Sequence, residues 1–150
     1  MTTENQTNQR FIMLVEDSDE DYKTLLWIFK KLAVTYPIIR CEDGEELLSY
    51  LKCDDCDKII QPAIILLDLN LPGIDGRKIL QRIKENEKFK VVPVIILTTT
   101  SNSKDIKYCY QNGANGYIIK PLNLEKFMRT IQMLLDYWFD ASILPDIRFA

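Results

Sequence analysis

The chain has 150 residues, 47% of them hydrophobic and 27% charged, with a formal net charge of −3. That length suits one domain with a sizeable core, the composition is that of an ordinary soluble globular protein, and the slight acidity argues against a nucleic-acid-binding surface. No apolar run approaches the ~20 residues that would span a bilayer, and the total lack of histidine excludes Ser-His and Cys-His nucleophiles, His-ligated zinc and any phosphohistidine on this chain.

Residues 1–9 are polar, without the basic-then-apolar form of a signal peptide, and are expected to be a flexible tail on a cytoplasmic protein. Phe11-Ile12-Met13-Leu14-Val15 reads as a buried strand ending in Glu16-Asp17. A helix is predicted from Asp19 to Leu32, with Leu25, Leu26, Phe29 and Leu32 at helical spacing and Ser18 or Asp19 as its cap. Pro37 to Cys41 forms a short second strand, Glu45 to Lys52 a second helix, and the stretch through Gln61-Pro62 a loop. Cys53 and Cys56 have the spacing of half a zinc site or a redox motif. With no second CxxC and no histidine to complete it, the pair reads as free thiols.

Ala63-Ile64-Ile65-Leu66-Leu67 is the third strand and delivers Asp68 at its tip, just before the turn signal Pro72-Gly73. A helix over Gly76 to Asn86 follows, then a strand within Val91 to Leu97 ending in Thr98-Thr99-Thr100-Ser101. Lys104 to Gln111 forms a fourth helix stopped by Asn112-Gly113. Gly116 to Ile119 is the fifth strand, ending in Lys120-Pro121, and Asn123 caps a last helix to about Ala141. Short, continuous apolar strands alternating with helices imply an α/β fold whose parallel sheet is covered on both faces.

In such a sheet the strand ends bring Glu16, Asp17, Asp68, Thr98 and Lys120 to one edge, where open α/β sheets bind ligands. Carboxylates packed together resist ionisation unless a cation joins them, and hard oxygen donors suit Mg²⁺. Asp68 is then a nucleophile able to accept a phosphoryl group as an acyl phosphate. Thr98 and Lys120 would donate a hydrogen bond and a positive charge to the transferring oxygens. Each residue alone has a bland reading: helix-capping acids, a strand threonine, a solvated lysine. Four strand ends delivering such residues to one edge make that coincidence unconvincing.

Leu14-Val15-Glu16-Asp17, Leu67-Asp68-Leu69-Asn70-Leu71-Pro72-Gly73-Ile74-Asp75-Gly76, Leu97-Thr98 and Lys120-Pro121 resemble, in combination and order, the receiver domain of two-component response regulators over about Arg10 to Tyr137. The resemblance implies a flavodoxin-like (βα)5 doubly wound parallel sheet with strand order 2-1-3-4-5. It makes Asp68 the phosphoacceptor, and Glu16, Asp17, Asp68 and the Asn70 carbonyl the Mg²⁺ ligands. Thr98 becomes the switch hydroxyl, Tyr117 the aromatic switch, Lys120 the phosphate-contacting lysine, and Lys120-Pro121 a cis peptide. The donor would be a sensor histidine kinase on another chain. The protein would be a phosphoacceptor that promotes its own phosphorylation and dephosphorylation, not a turnover enzyme. One departure is Thr99, since the family usually has a small residue there. Its bulk bears on the rate at which donors and phosphatases approach, and Asn70 and Thr100 occupy positions that tune phosphoryl lifetime.

The expected division is tail 1–9, receiver 10–142 and apolar extension 143–150, with no output domain following and hence a single-domain regulator. Met133, Leu134, Leu135, Tyr137, Trp138 and Phe139, continued by Ile143-Leu144-Pro145 and Phe149, leave the end of the last helix apolar nearly all round. Either this segment folds back on the body or it forms a partner surface, most simply a homodimer, which is the preferred reading. The aromatic end and Leu-Pro tail are similar to regulators that pair with cyanobacterial phytochrome kinases. Two rival functions fit less well. A phosphatase of haloacid-dehalogenase type would need an aspartate two residues after the nucleophile, where Asn70 stands. A flavodoxin-like cofactor binder would need a phosphate cradle after the first strand, where Glu16-Asp17-Ser18-Asp19-Glu20-Asp21 would repel an anionic phosphate.

Overall fold

Five runs of branched apolar residues become five strands, and capping residues beside them start the helices. Strand β1 (Phe11–Val15), helix α1 (Asp19–Lys31), β2 (Ile38–Cys41), α2 (Gly44–Leu51), β3 (Pro62–Leu67), α3 (Gly76–Glu85), β4 (Val94–Thr98), α4 (Ser103–Gln111), β5 (Gly116–Ile119) and α5 (Leu124–Leu135) follow one another. They lie within residues 10–52 and 62–146, the part described by the structure, a computed structural model. Cys53, Cys56 and Phe149 lie outside the described residues. The strands form one parallel sheet in the order β2-β1-β3-β4-β5, as expected.

The pleat divides the strand residues between two cores. Phe11, Met13, Val15, Ile65, Leu67, Val94 and Ile96 face Leu47 of α2, Ile79, Leu80 and Ile83 of α3, and Cys109 of α4. Ile12, Leu14, Ile64, Leu66, Ile95 and Leu97 face Leu25, Ile28 and Phe29 of α1 and Phe127, Ile131, Leu134 and Leu135 of α5. Because both faces are covered, β1, β3 and β4 are buried along their whole lengths, which is why their sequences are apolar without alternation.

Helix starts follow the sequence closely. Ser18, Asp43, Asp75, Asn102 and Asn123 each accept a bond from a backbone N–H in the first turn of α1 to α5. Asp19, Glu20 and Asp21 at the start of α1 and Lys30 and Lys31 at its end complement the helix dipole. Small corrections concern the edges of elements. Pro62 belongs to β3 rather than to the preceding loop, which is permitted because a strand's first residue can lack a ladder donor. Regular α-helix ends at Leu135, and Asp136–Ala141 continues as a wider π-helical turn closed by Ser142 N–H donating to the Tyr137 carbonyl at 2.8 Å.

Much of the aromatic end turns back on its own body. Trp138, Phe139 and Leu144 pack against the α1/α5 core, and the Phe139 ring lies 4.2 Å from that of Tyr36. Met133, Tyr137 and Ile143 remain outside, Ile143 almost wholly so at 96% exposure. The segment is thus split between core and surface instead of forming one continuous apolar face.

Candidate functional site

Parallel strands place their carboxyl ends at one sheet edge, and that edge gathers the candidate residues. Lys120 follows β5 and is anchored by its backbone N–H, which donates to the Thr98 carbonyl at 2.7 Å. Its ammonium donates to Glu16 Oε2 at 2.5 Å, Asp21 Oδ2 at 2.8 Å and Asp68 Oδ2 at 2.9 Å. All three of its donors are therefore committed to carboxylates. The Lys120–Pro121 bond is trans, contrary to the expected cis form. A prolyl bond favours trans by about 0.5–1 kcal/mol, and the Thr98 carbonyl already fixes Lys120 from the backbone side.

Glu16, Asp68, Thr98 and Lys120 are the buried polar residues among those described. Burial pushes the Glu16 carboxyl up to about 7 against the pull of Lys120, and the Asp68 charge pushes in the same direction as burial. Burial alone would lower Lys120, but hydrogen bonds to Asp21, Glu16 and Asp68 outweigh it and hold the ammonium above the usual lysine range. Oxygens of Glu16, Asp17 and Asp68 lie within 4.8 Å of one another. Three carboxylates thus hold one ammonium, a fourth, that of Asp17, lies beside two of them, and the donors are all hard oxygens. That set fits a divalent ion such as Mg²⁺ and fits soft or tetrahedral metals poorly.

The loop after β3 is shaped to hold Asp68. The Asn70 N–H donates to Asp68 Oδ1 at 3.0 Å. Gly73 adopts φ +72°, the left-handed conformation its turn needs. Gly76 opens α3 so close beneath the loop that a Cβ there would lie 2.4 Å from the Asp68 carbonyl oxygen. Asn70 also reaches sideways, donating from Nδ2 to Thr98 Oγ1 at 3.3 Å and Thr100 Oγ1 at 3.2 Å. The Tyr117 hydroxyl donates to the Thr100 carbonyl at 2.7 Å, and its phenol is pushed up to about 12, chiefly by burial. Thr99 is exposed at the mouth of this group.

Two participants escaped the sequence reading. Asp21, one member of the acidic run after β1, is the third acceptor of Lys120; its place in the first turn of α1, one turn beyond Glu16-Asp17, is the signal the sequence carries for it. Arg77 bonds Asp75, the residue that caps α3, and Asp105 of α4 through Nε at 2.7 Å, tying together two helices that flank the site. The Arg77 guanidinium in turn holds the Asp105 carboxyl below its ordinary value. Cys41 and Cys109 are buried free thiols, pushed up by burial to about 12 and about 11, which keeps them protonated and inert near neutral pH. No helix of the described residues is long and apolar enough to cross a membrane.

A family described as "Response regulator receiver domain" matches residues 12–132. The chain is 36% identical over 134 residues to the probable methanogenesis regulatory protein FilR2 of Methanothrix harundinacea, covering 89% of this chain and 86% of that one. It is 34% identical over 137 residues to the response regulator Rcp1 of Synechocystis, covering 91% and 93%. The Mn²⁺-bound structure of Rcp1 superposes with a TM-score of 0.82 at 33% identity, covering 91% of this chain and 99% of that one. The phosphorylated cyanobacterial phytochrome response regulator RcpA superposes with a TM-score of 0.84 at 32% identity, covering 93% and 100%.

Proposed function

We propose that this chain, which belongs to the response regulator receiver family, accepts a phosphoryl group on Asp68 from a sensor histidine kinase and signals through the surface that changes as a result. The observation that carries this reading is the convergence on Asp68 of one ammonium, at 2.9 Å, and two further acids within 4.8 Å. A carboxylate oxygen of Asp68 attacks the phosphorus of a phosphohistidine, the P–N bond breaks, and the imidazole nitrogen keeps the electron pair. Glu16, Asp17, Asp68 and the Asn70 carbonyl would hold Mg²⁺, which when bound offsets negative charge on the group in transfer. Lys120 neutralises the same charge from the β5 side, and Thr98 donates its hydroxyl to a phosphoryl oxygen. Tyr117, tied to the Thr100 carbonyl, follows the displacement of the β4 end and alters the face that a partner reads.

The chain acts in this scheme as a phosphoacceptor rather than a turnover enzyme. Its likeness to the phytochrome response regulator RcpA supports a kinase of the phytochrome class as donor, and the exposed Met133, Tyr137 and Ile143 support a homodimer formed beside α5. The test is intact mass after incubation with acetyl phosphate and Mg²⁺, with Asp68→Ala in parallel. One phosphoryl group on the wild type alone, labile to hydroxylamine, is the expected result. Phosphorylation of the Asp68→Ala protein would overturn the assignment.

A further inference from the structure

We infer that Arg40 is a positioning residue for the divalent-cation site, fixing the Glu16–Asp17 peptide and the first turn of α1 so that the acid pair is pre-set for a metal. The inference rests on reading Glu16, Asp17 and Asp68 as that site.

Arg40 lies on the edge strand β2, in register with Leu14 of β1. Its neighbours Ile39 and Cys41 belong to the α2/α3/α4 core, so the pleat turns Arg40 toward α1. An apolar residue would serve ordinary packing there. Instead a guanidinium is nearly enclosed, its side chain 11% exposed. Nε donates to the Glu16 carbonyl at 2.9 Å and Nη1 to Asp19 Oδ1 at 2.8 Å. Its central carbon stands 4.5 Å from the centre of the Tyr22 ring. Nη2 is buried with no hydrogen-bond partner, a penalty that packing alone gives no reason to accept.

The consequence concerns Glu16. Its N–H donates to the Cys41 carbonyl at 3.0 Å, while its carbonyl accepts from Arg40. Consecutive residues of β2 therefore grip both sides of the residue on which Asp17 hangs. The side chain is held as well, with Oε1 accepting from the Ser18 N–H at 3.1 Å and Oε2 from Lys120. The same guanidinium reaches Asp19, so the loop and the helix that follows it are locked to one fork. Lysine, a point donor on a flexible stem, cannot make both bonds in this geometry.

Charge and positioning act in opposite directions here, which makes the inference testable. A guanidinium beside an acidic loop repels an incoming cation, so if only its charge mattered, removing it would tighten metal binding. A positioning role loosens binding on removal. The measurement is Mn²⁺ affinity of the full chain, read from the free-ion electron paramagnetic resonance signal, for wild type, Arg40→Met, Arg40→Lys and Asp17→Asn, with circular dichroism confirming the fold of each. Removal of groups that orient metal ligands typically weakens affinity about tenfold or more, and that loss is expected for both Arg40 variants. If Arg40→Met proves unfolded, Arg40→Lys decides alone. Wild-type affinity in Arg40→Lys, or equal or tighter binding by Arg40→Met, overturns the inference. If Asp17→Asn has meanwhile lost Mn²⁺, the site reading stands without it. A wild type that does not bind Mn²⁺ overturns both.

Discussion

Replacing Gly76 with alanine should destabilise the protein, although the same change in an open helix would stabilise it. Alanine is favoured over glycine inside a helix by about 0.5–1 kcal/mol. At Gly76 the added Cβ would lie 2.4 Å from the Asp68 carbonyl oxygen, 2.5 Å from Leu69 Cα and 2.9 Å from the Leu69 carbonyl oxygen. All three are backbone atoms, so no side-chain rotation relieves the overlap. Either α3 or the Asp68 loop must move, and the bond from the Gly76 N–H to the Leu69 carbonyl, 3.1 Å long, moves with them. Overpacking of this kind costs about 1–3 kcal/mol, which exceeds the propensity gain. The expected net loss is about 1–2 kcal/mol, seen as a lower urea midpoint at unchanged slope. Since the displaced atom is the carbonyl of Asp68 itself, phosphorylation by acetyl phosphate should slow in the same variant. A Gly76→Ala protein more stable than wild type and phosphorylated at the same rate would refute the reasoning.

Lys84 donates to the carbonyls of Lys90 and Val92 and to Asn115 Oδ1 at 2.9–3.2 Å, yet burial pulls its ammonium down to about 8. The unfolded chain keeps that proton to about 10.4, so between these values it binds more protons than the folded chain and stability rises with pH. Wild type minus Lys84→Met in unfolding free energy should therefore grow by about 1–2 kcal/mol from pH 7.5 to 10, the full shift being discounted for the solvent that still reaches a part-buried ammonium; a flat difference means that the three acceptors outweigh burial. Lys120→Met leaves Glu16 and Asp68 buried without their cation and should cost about 3–5 kcal/mol, part of which Mg²⁺ restores in urea titrations. An equal loss with and without Mg²⁺ means that metal and lysine do not share these oxygens. Ile143→Asp combined with Tyr137→Asp should convert a dimer to monomer in sedimentation velocity, and a wild type that is monomeric throughout removes the dimer.

The strand ends were legible because each of these apolar runs stops at a residue of the candidate site: Val15 before Glu16, Leu67 before Asp68, Leu97 before Thr98, Ile119 before Lys120. A run buried on both faces leaves little ambiguity about where it ends. What one position along the chain cannot convey is direction. Arg40 stands in a short strand whose sequence gives it no direction, and only the pleat relative to Ile39 and Cys41 turns it inward. Asp21 stands in an acidic run at a helix start, where it complements the dipole, and nothing in that run marks it as the acid that also reaches Lys120. The aromatic end posed a different problem. Apolar residues say that they will be covered, not by which surface, and Trp138 and Phe139 found theirs on α1, α5 and Tyr36.

Asn70 connects the two halves of the site. Its N–H holds Asp68 Oδ1, while its side-chain amide holds Thr98 Oγ1 and Thr100 Oγ1. The bonds Thr98 Oγ1 makes, from Asn70 Nδ2 and at 3.5 Å from the Thr100 N–H, are both accepted ones. A hydroxyl can accept twice and still donate once, so the Thr98 proton is free for a phosphoryl oxygen, and under the proposed chemistry Thr98 Oγ1 moves toward Asp68 to deliver it. That movement strains the bond to the Asn70 amide and pulls on the Thr100 backbone, whose carbonyl is where Tyr117 is tethered. Asn70→Ala removes the amide and leaves the backbone bond to Asp68 in place. Under the proposed chemistry it lowers the cost of that movement at Thr98 without touching the acceptor carboxylate. Its phosphorylated form should accordingly show a larger shift of the Tyr117 ring resonances than the wild type, and an identical shift would mean that the amide does not restrain the switch.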